Sequence, residues 1–225
     1  MVQAALQDYS SAASSYFGDA RTPASIVMGY SIASIFALPG FSTKEHRQSI
    51  ELFLVRTYRI LSWLAFILSL HVFIIASIAN TNVLLIKSYN PLAESAMEMM
   101  NREFQYEFLI VLWSMTVSIL LTVVVVTIRV LLQFDLLKRE ERLDTGRFVI
   151  CSSAALMASL LNYLCQRDEG LSLTEMTTTL AKLIVRDLTE STPVAMEIFA
   201  MGFAALSIFF AVRSSLFNPE RVKIE

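Results

Sequence analysis

The chain has 225 residues, of which 55% are hydrophobic and 17% charged, where a soluble domain carries about 25% charged residues. A net charge of −2 gives no general attraction for nucleic acid, and two cysteines and two histidines, without a Cys-x-x-Cys or His-x-x-x-His pair, exclude a disulfide framework and a standard structural zinc site. The balance predicts an all-α, polytopic transmembrane helix bundle whose partner is the lipid bilayer, with no cofactor, no metal and no nucleic acid.

In chain order, residues 1–21 read as a polar N-terminal tail whose charges are Asp8, Asp19 and Arg21. They lack the basic and apolar regions of a secretory signal and the arginine-rich face of a transit peptide. A transmembrane helical domain is expected over residues 22–216, and a polar C-terminal tail over 217–225. Five stretches make up that domain: 22–43, 60–86 interrupted by His71, 108–134 with Phe108–Ile128 free of charge, 148–166, and 193–214 interrupted by Glu197. A hydrocarbon core of about 30 Å needs about 20 helical residues, so on length four to five of them can span. The second and third, rich in Leu, Ile, Val and Phe, read as spans. The fifth opens on Thr192-Pro193, an N-cap and first-turn pair, which sets Glu197 near the interface. The first ends in Pro39-Gly40 and the fourth is diluted by Ser152, Ser153, Ser159 and Asn162, so each fits a span, a buried helix or a helix lying on the membrane.

The connectors carry helical patterns. Met97, Met100, Phe104 and Phe108 recur beside Glu94, Glu98, Glu103 and Glu107, which predicts an acidic amphipathic helix leading into the third stretch. The charged run Asp135–Asp144 reads as a solvated continuation of that stretch. Ser172 and Glu175 form a capping-box signature ahead of an apolar face of Met176, Leu180, Leu183 and Ile184. Cys151 and Cys165 stand about 21 Å apart along one helix, beyond the roughly 7 Å reach of a disulfide, and read as small buried hydrophobes.

Charge counts constrain the topology. Four basic residues (Lys44, Arg47, Arg56, Arg59) follow the first stretch and five (Arg129, Lys138, Arg139, Arg142, Arg147) follow the third. With all five stretches crossing, one side collects 12 Lys and Arg and the other 6, and leaving out the first stretch sharpens the division to 13 against 5. The richer side, which holds the C-terminus in both cases, is expected to be cytoplasmic. A topology in which the fourth stretch alone fails to cross puts 6 on the C-terminal side.

Among polar residues, His71 lies in mid-span, where a polar ring needs a neighbouring helix or water. Its two readings are an interhelical hydrogen bond and a role in moving a proton or ion. Glu197 reads as an interfacial carboxylate and Arg129 as a snorkelling cation. Small residues recur every four positions at Ser25, Gly29, Ala33 and Ala37 and again at Ser114, Ser118 and Thr122, ridges along which another helix can approach closely. With no Walker loop, dinucleotide glycine motif, nucleophile elbow or His-carboxylate cluster, no enzymatic activity is expected.

Several of these pieces together resemble the Orai family of calcium-channel subunits. Arg21-Thr22-Pro23-Ala24 leading to Gly29-Tyr30-Ser31-Ile32-Ala33 is similar to the family's basic entrance and glycine-containing pore helix. Leu70-His71-Val72-Phe73 followed by Ala76-Ser77 is similar to its histidine-bearing second helix, and Trp113 falls at a comparable separation. Phe209-Phe210-Ala211-Val212 before Arg213-Ser214-Ser215-Leu216 is similar to the end of its last helix. The resemblance implies an oligomeric plasma-membrane channel subunit with Arg21, Ser25, Gly29, Ala33, Phe36 and Ala37 along a path for an inorganic cation, and His71 and Trp113 packed behind it. The family's selectivity glutamate has no counterpart, since Phe36, Ala37 and Leu38 occupy its region and the next acid is Glu45. A competing expectation is a non-catalytic structural or assembly subunit of a larger membrane complex, whose small-residue ridges dock on partner helices.

Overall fold

The computed structural model describes residues 6–36, 49–85, 90–134, 140–167 and 173–190. The elements are β1 (Gln7–Asp8), α1 (Ser10–Phe36), α2 (Ser49–Leu85), β2 (Leu92–Ala93), α3 (Ala96–Glu103), α4 (Gln105–Gln133), α5 (Glu140–Arg167) and α6 (Leu173–Glu190). The chain divides into one unit, Met1–Leu180, and a second, Ala181–Glu225. In the second unit the described residues are the last ten of α6.

Two helices among the described residues are long and apolar enough to cross a membrane, Phe53–Leu85 and Gln105–Gln133. They coincide with the second and third stretches. The residues of the first and fourth stretches that are described lie in α1 and α5, which do not meet that standard of length and apolarity. The stretch 193–214, with Glu197, lies outside the described residues, as does Ala37.

A seam of small residues organises the first unit. On α2 the buried positions Val55, Tyr58, Ser62, Ala65, Ser69, Val72, Ala76, Ala79 and Val83 alternate in steps of three and four, the heptad spacing that keeps one stripe facing a partner helix. Ala13, Phe17, Ala20, Ala24, Ser31 and Ser34 supply the answering face of α1. The Ser14 hydroxyl donates to Asn80 Oδ1 at 2.8 Å, and the Tyr58 hydroxyl donates to the Ser34 carbonyl at 3.0 Å. These bonds tie opposite ends of the two helices, so α1 and α2 are antiparallel. At the Tyr58 end, Val55 and Tyr58 cluster with Val125, Ile128 and Leu132 of α4, with Tyr30 of α1 packed against them. At the other end Tyr16 and Phe17 of α1 meet Phe108 and Phe104, at ring separations of 5.3 and 6.0 Å. Thus α4 runs parallel to α1, and α2 runs against both.

Hydroxyls inside this bundle are satisfied locally. Ser62 donates to the Tyr58 carbonyl at 2.8 Å and Ser69 to that of Ala65 at 2.7 Å, each one helical turn back. Ser118 and Thr122 do the same on α4. Serine therefore takes little more room on the seam than alanine and brings few unmet hydrogen bonds. Ser34 Oγ and Ser114 Oγ are buried without a partner.

The structure corrects several expectations. Residues 10–21 are not tail; they are the start of α1, whose Ala13 and Phe17 are buried. The Asp8 carboxylate accepts from the Ser10 N–H at 2.8 Å, beside the positive end of that helix. Of the charged run 135–144, residues 135–139 lie outside the described residues, and the rest belongs to a separate helix. Helix α4 stops at Gln133, where Phe134 donates its N–H back to the Val130 carbonyl at 3.2 Å, and the charges from Glu140 onward open α5. The acidic amphipathic helix is present as α3, but it breaks from α4 at Phe104, and Met97 faces outward while Met99 and Met100 are buried. Cys151 is exposed, not buried, because α5 turns a different face, carrying Ser153, toward α4; the side chain of Cys165 lies outside the described set. The expected apolar face of α6 is present at Met176, Leu180 and Leu183.

Ala76 is fully buried, so Ala76→Leu should cost about 1–3 kcal/mol by forcing the seam apart. Unfolding midpoints in detergent check this. Ile78→Leu, at a side chain 51% exposed, should leave the midpoint unchanged.

Candidate functional site

The helix contacts put α1, α2 and α4 on one vertical scale. Ser14 bonds Asn80 and Tyr16 stacks on Phe108, so Asn80 and the start of α4 share a height. Tyr58 packs with Val125 and Ile128, so Arg59 and Arg129 share another. Between those heights lie residues 60–79 of α2 and 108–128 of α4, both about 30 Å long at a rise of about 1.5 Å per residue. Both segments are free of Asp, Glu, Lys and Arg.

The outward face of α2 in this band is large and apolar, with Trp63, Leu64, Ile67, Phe73, Ile74 and Ile78 exposed. Its inward face is alanine, serine and valine. A helix in a water-soluble core would be mostly covered by its own protein, yet the most apolar windows of α2 and α4 are only 28% and 39% buried.

The outward surface of α1 is mixed. Ile26 and Ile32 are exposed on it, and beside them runs a stripe of Ser11, Ser15, Asp19, Thr22, Ser25, Gly29 and Ala33, exposed at spacings of three and four. Ser15 donates to Asp19 Oδ2 at 3.1 Å and Ser25 to the Thr22 carbonyl at 2.8 Å. Pro23 lies inside the helix and has no N–H to offer the Asp19 carbonyl one turn earlier. Arg21 is half-buried, its Nη2 lying 3.7 Å from where a side chain on Gly18 would begin, so its guanidinium turns back toward the N-terminal end. A side chain at Gly29 would meet nothing within 4 Å. The ridge Ser25, Gly29 and Ala33 is therefore not the face that α1 packs against α2. That contact uses Ala13, Ala20, Ala24, Ser31 and Ser34, a second small-residue stripe with the same helical spacing. Phe36, at the last position of α1, is 79% exposed.

The other predicted residues fall behind this face. His71 is half-buried next to Val72 on the seam, at about the height of Arg21 and Thr22 on the common scale. Ser114 and Ser118 are buried in the α4 seam and Thr122 is half-buried, as a packing ridge requires. Trp113 is half-buried, and its Nε1–H donates to Thr177 Oγ1 at 2.9 Å, tying α4 to the first turn of α6. Arg129 is half-buried. Among the described residues no group of three or more His, Cys, Asp or Glu could hold a metal ion.

The end of the bundle near Asn80 is closed by a clasp. Gln7 and Asp8 pair antiparallel with Ala93 and Leu92, Tyr9 N–H donates to the Pro91 carbonyl at 3.1 Å, and the Tyr9 hydroxyl donates to the Glu94 carbonyl at 3.3 Å. Arg102 gathers the connector by donating to the carbonyls of Asn90 and Leu92 at 2.6 and 3.0 Å, and it pairs with Glu103 at 2.8 Å. On α3, Ser95 Oγ accepts from Glu98 N–H at 3.1 Å while Glu98 Oε2 accepts from Glu94 N–H at 2.8 Å, a near-variant of the capping box.

No family model, curated protein or solved structure matches the chain.

The N–H of Ser10 holds the Asp8 carboxyl below its ordinary value of 3.8. A depressed folded-state value means a contribution present above the unfolded value and lost as pH falls through the folded one. Amide exchange at Tyr9 and Ser10 should therefore accelerate as pH is lowered below about 4, beyond the intrinsic change in exchange rate. Asp8→Ala should show the faster exchange already at neutral pH.

Proposed function

We propose that this chain is an integral membrane subunit that self-assembles through the outward face of α1, an arrangement similar to that of Orai channel subunits, and that the assembled α1 faces border a path for an inorganic cation. The observation that carries the reading is the contrast between one stripe of α1 and the outward face of α2 at one height. Large apolar side chains on α2, like Ile26 and Ile32 on the flank of α1, are suited to lipid, whereas the stripe Thr22, Ser25, Gly29 and Ala33 is not. In hydrocarbon, exposed hydroxyls, a carboxylate and a backbone carbonyl lacking its helix bond each call for protein or water as cover. Copies of α1 brought together around a narrow wet path supply both.

Asp19 is the one carboxylate on α1 and lies on its exposed face, which gives that path a negative site. His71 and Trp113, on the helices behind α1, take supporting roles in this reading. Self-assembly also accounts for Gly29, since a glycine with nothing within 4 Å offers the closest approach for a second helix.

Paired single cysteines test the reading. Ser25→Cys or Gly29→Cys in the membrane-embedded chain should form oxidant-induced homodimers, whereas Ile67→Cys on the apolar face of α2 should not. Gly29→Leu should abolish the cross-linked species and the conductance of reconstituted vesicles while leaving the unfolding midpoint within about 1 kcal/mol of wild type, because the position is open in the single chain. A chain that stays monomeric in lipid and carries no current would instead assign the α1 face to a different protein, making this a structural subunit of a larger complex.

A further inference from the structure

The two ends of the bundle differ in charge in a way that the proposed path through α1 does not use. At the Tyr58 end, Arg56 and Arg59 of α2 and Arg129 of α4 fall in one layer, since Tyr58 packs directly with Ile128. Between Phe53 and Leu70 of α2, and from Leu112 of α4 to Phe134, there is no Asp or Glu, and the acid of α2 nearest this layer is Glu51, beyond Arg56 and Arg59 on the side away from the apolar band. Helix α5, bonded to α4 through Thr127 Oγ1 and Ser153 Oγ at 2.8 Å, adds Arg147, which is paired with Asp144 at 3.2 Å. The opposite end carries Asp8, Glu94, Glu98, Glu103 and Glu107 against Arg102, which is already engaged by Glu98 and Glu103.

The basic layer also has the side chains that mark a membrane boundary. Arg59 is exposed, and Trp63, one turn further into the apolar band, is 50% exposed with its ring edge-on to Phe66 at 5.9 Å. Amphipathic rings of this kind sit at headgroup level. Phe53, also exposed, lies on the far side of the arginines. A guanidinium is suited to phosphate because its planar donors can bind two oxygens at once.

We infer that the layer formed by Arg59 and Arg129 seats the headgroups of anionic phospholipids, in the leaflet facing the cytoplasm. The inference rests on the membrane part of the reading above and is independent of whether the chain conducts. The leaflet follows from the charge bias, because the end rich in arginine is retained on the cytoplasmic side and that leaflet carries the anionic lipid. Cationic side chains at this height attract a negative surface and hold the bundle at a fixed depth, while the acid-rich end is repelled by it.

The test uses the full chain in nanodiscs made of phosphatidylcholine with increasing phosphatidylglycerol, with retained lipid counted by native mass spectrometry after mild delipidation. Wild type should retain phosphatidylglycerol in preference to phosphatidylcholine, and the preference should fall by about fivefold for each arginine removed in Arg59→Gln and Arg129→Gln. Arg59→Lys with Arg129→Lys should keep most of it, which separates charge from packing if the glutamine variants fold poorly. Lys182→Gln, at an exposed cation on α6, should change nothing. Inorganic phosphate at millimolar concentration should not displace the lipid; displacement would assign the site to free phosphate and overturn the inference. Equal retention of both lipids by wild type, or an undiminished preference in the double glutamine variant, would also overturn it. Extraction of the chain from native membranes by alkaline carbonate would instead sink the membrane reading, an outcome distinct from a carbonate-resistant chain with no lipid preference.

Discussion

The close approach of α2 to α1 and α4 along a stripe of alanine, serine and valine is the contact on which the rest of the bundle depends. Between helices surrounded by lipid there is no gain from removing apolar surface from water, so association rests on dispersion contacts and hydrogen bonds. Both improve when the facing side chains are small. Ala65, Ala76 and Ala79 let the backbones approach, while Ser62 and Ser69 return their hydroxyls to their own helix. The Tyr58 hydroxyl on the Ser34 carbonyl and the Ser14 hydroxyl on Asn80 then fix the register at both ends.

Because the bulky residues are not needed inside, they are available outside. This inverts the distribution expected of a water-soluble protein, in which large apolar side chains fill the core and polar ones meet solvent. On α2 the inversion is nearly complete. On α1 it holds only in part, since Asp19, Thr22 and Ser25 share the exposed surface with Ile26 and Ile32. The difference between two adjacent helices is more informative than the hydropathy of either, since composition averages over faces and exposure does not.

Much of this was legible in the residues alone. The second and third stretches are apolar over more than 20 residues, and nothing but a helix satisfies the backbone over such a length away from water. Of the ridge read at Ser114, Ser118 and Thr122, the two serines are buried on α4 and the threonine is half-buried. What could not be read was which face of α1 packs inward, because Ala13, Ala20, Ala24 and Ser31 form a stripe as regular as Ser25, Gly29 and Ala33. The distinguishing signal is Phe17, whose large ring has to be covered and which draws its own stripe inward against Phe104. The breaks at Phe104 and Phe134 were missed because neither carries proline or glycine. The cap at Ser95 and Glu98 was visible as Ser-x-x-Glu, directly ahead of the buried Met99 and Met100, and was obscured by the stronger methionine periodicity around it.

The clasp at the N-terminal end has a consequence for the order in which the protein can be made. Tyr9 bonds Glu94 across 85 positions of sequence, and Phe17 meets the ring of Phe104, at the junction of α3 and α4, only once that residue has been synthesised. Helix α1 therefore leaves the ribosome well before the residues that close its end, and its serine-rich first turns stay unclasped until residues 92–104 have been translated. The contacts that fix the N-terminal end of the first helix are thus among the last of the bundle to become available.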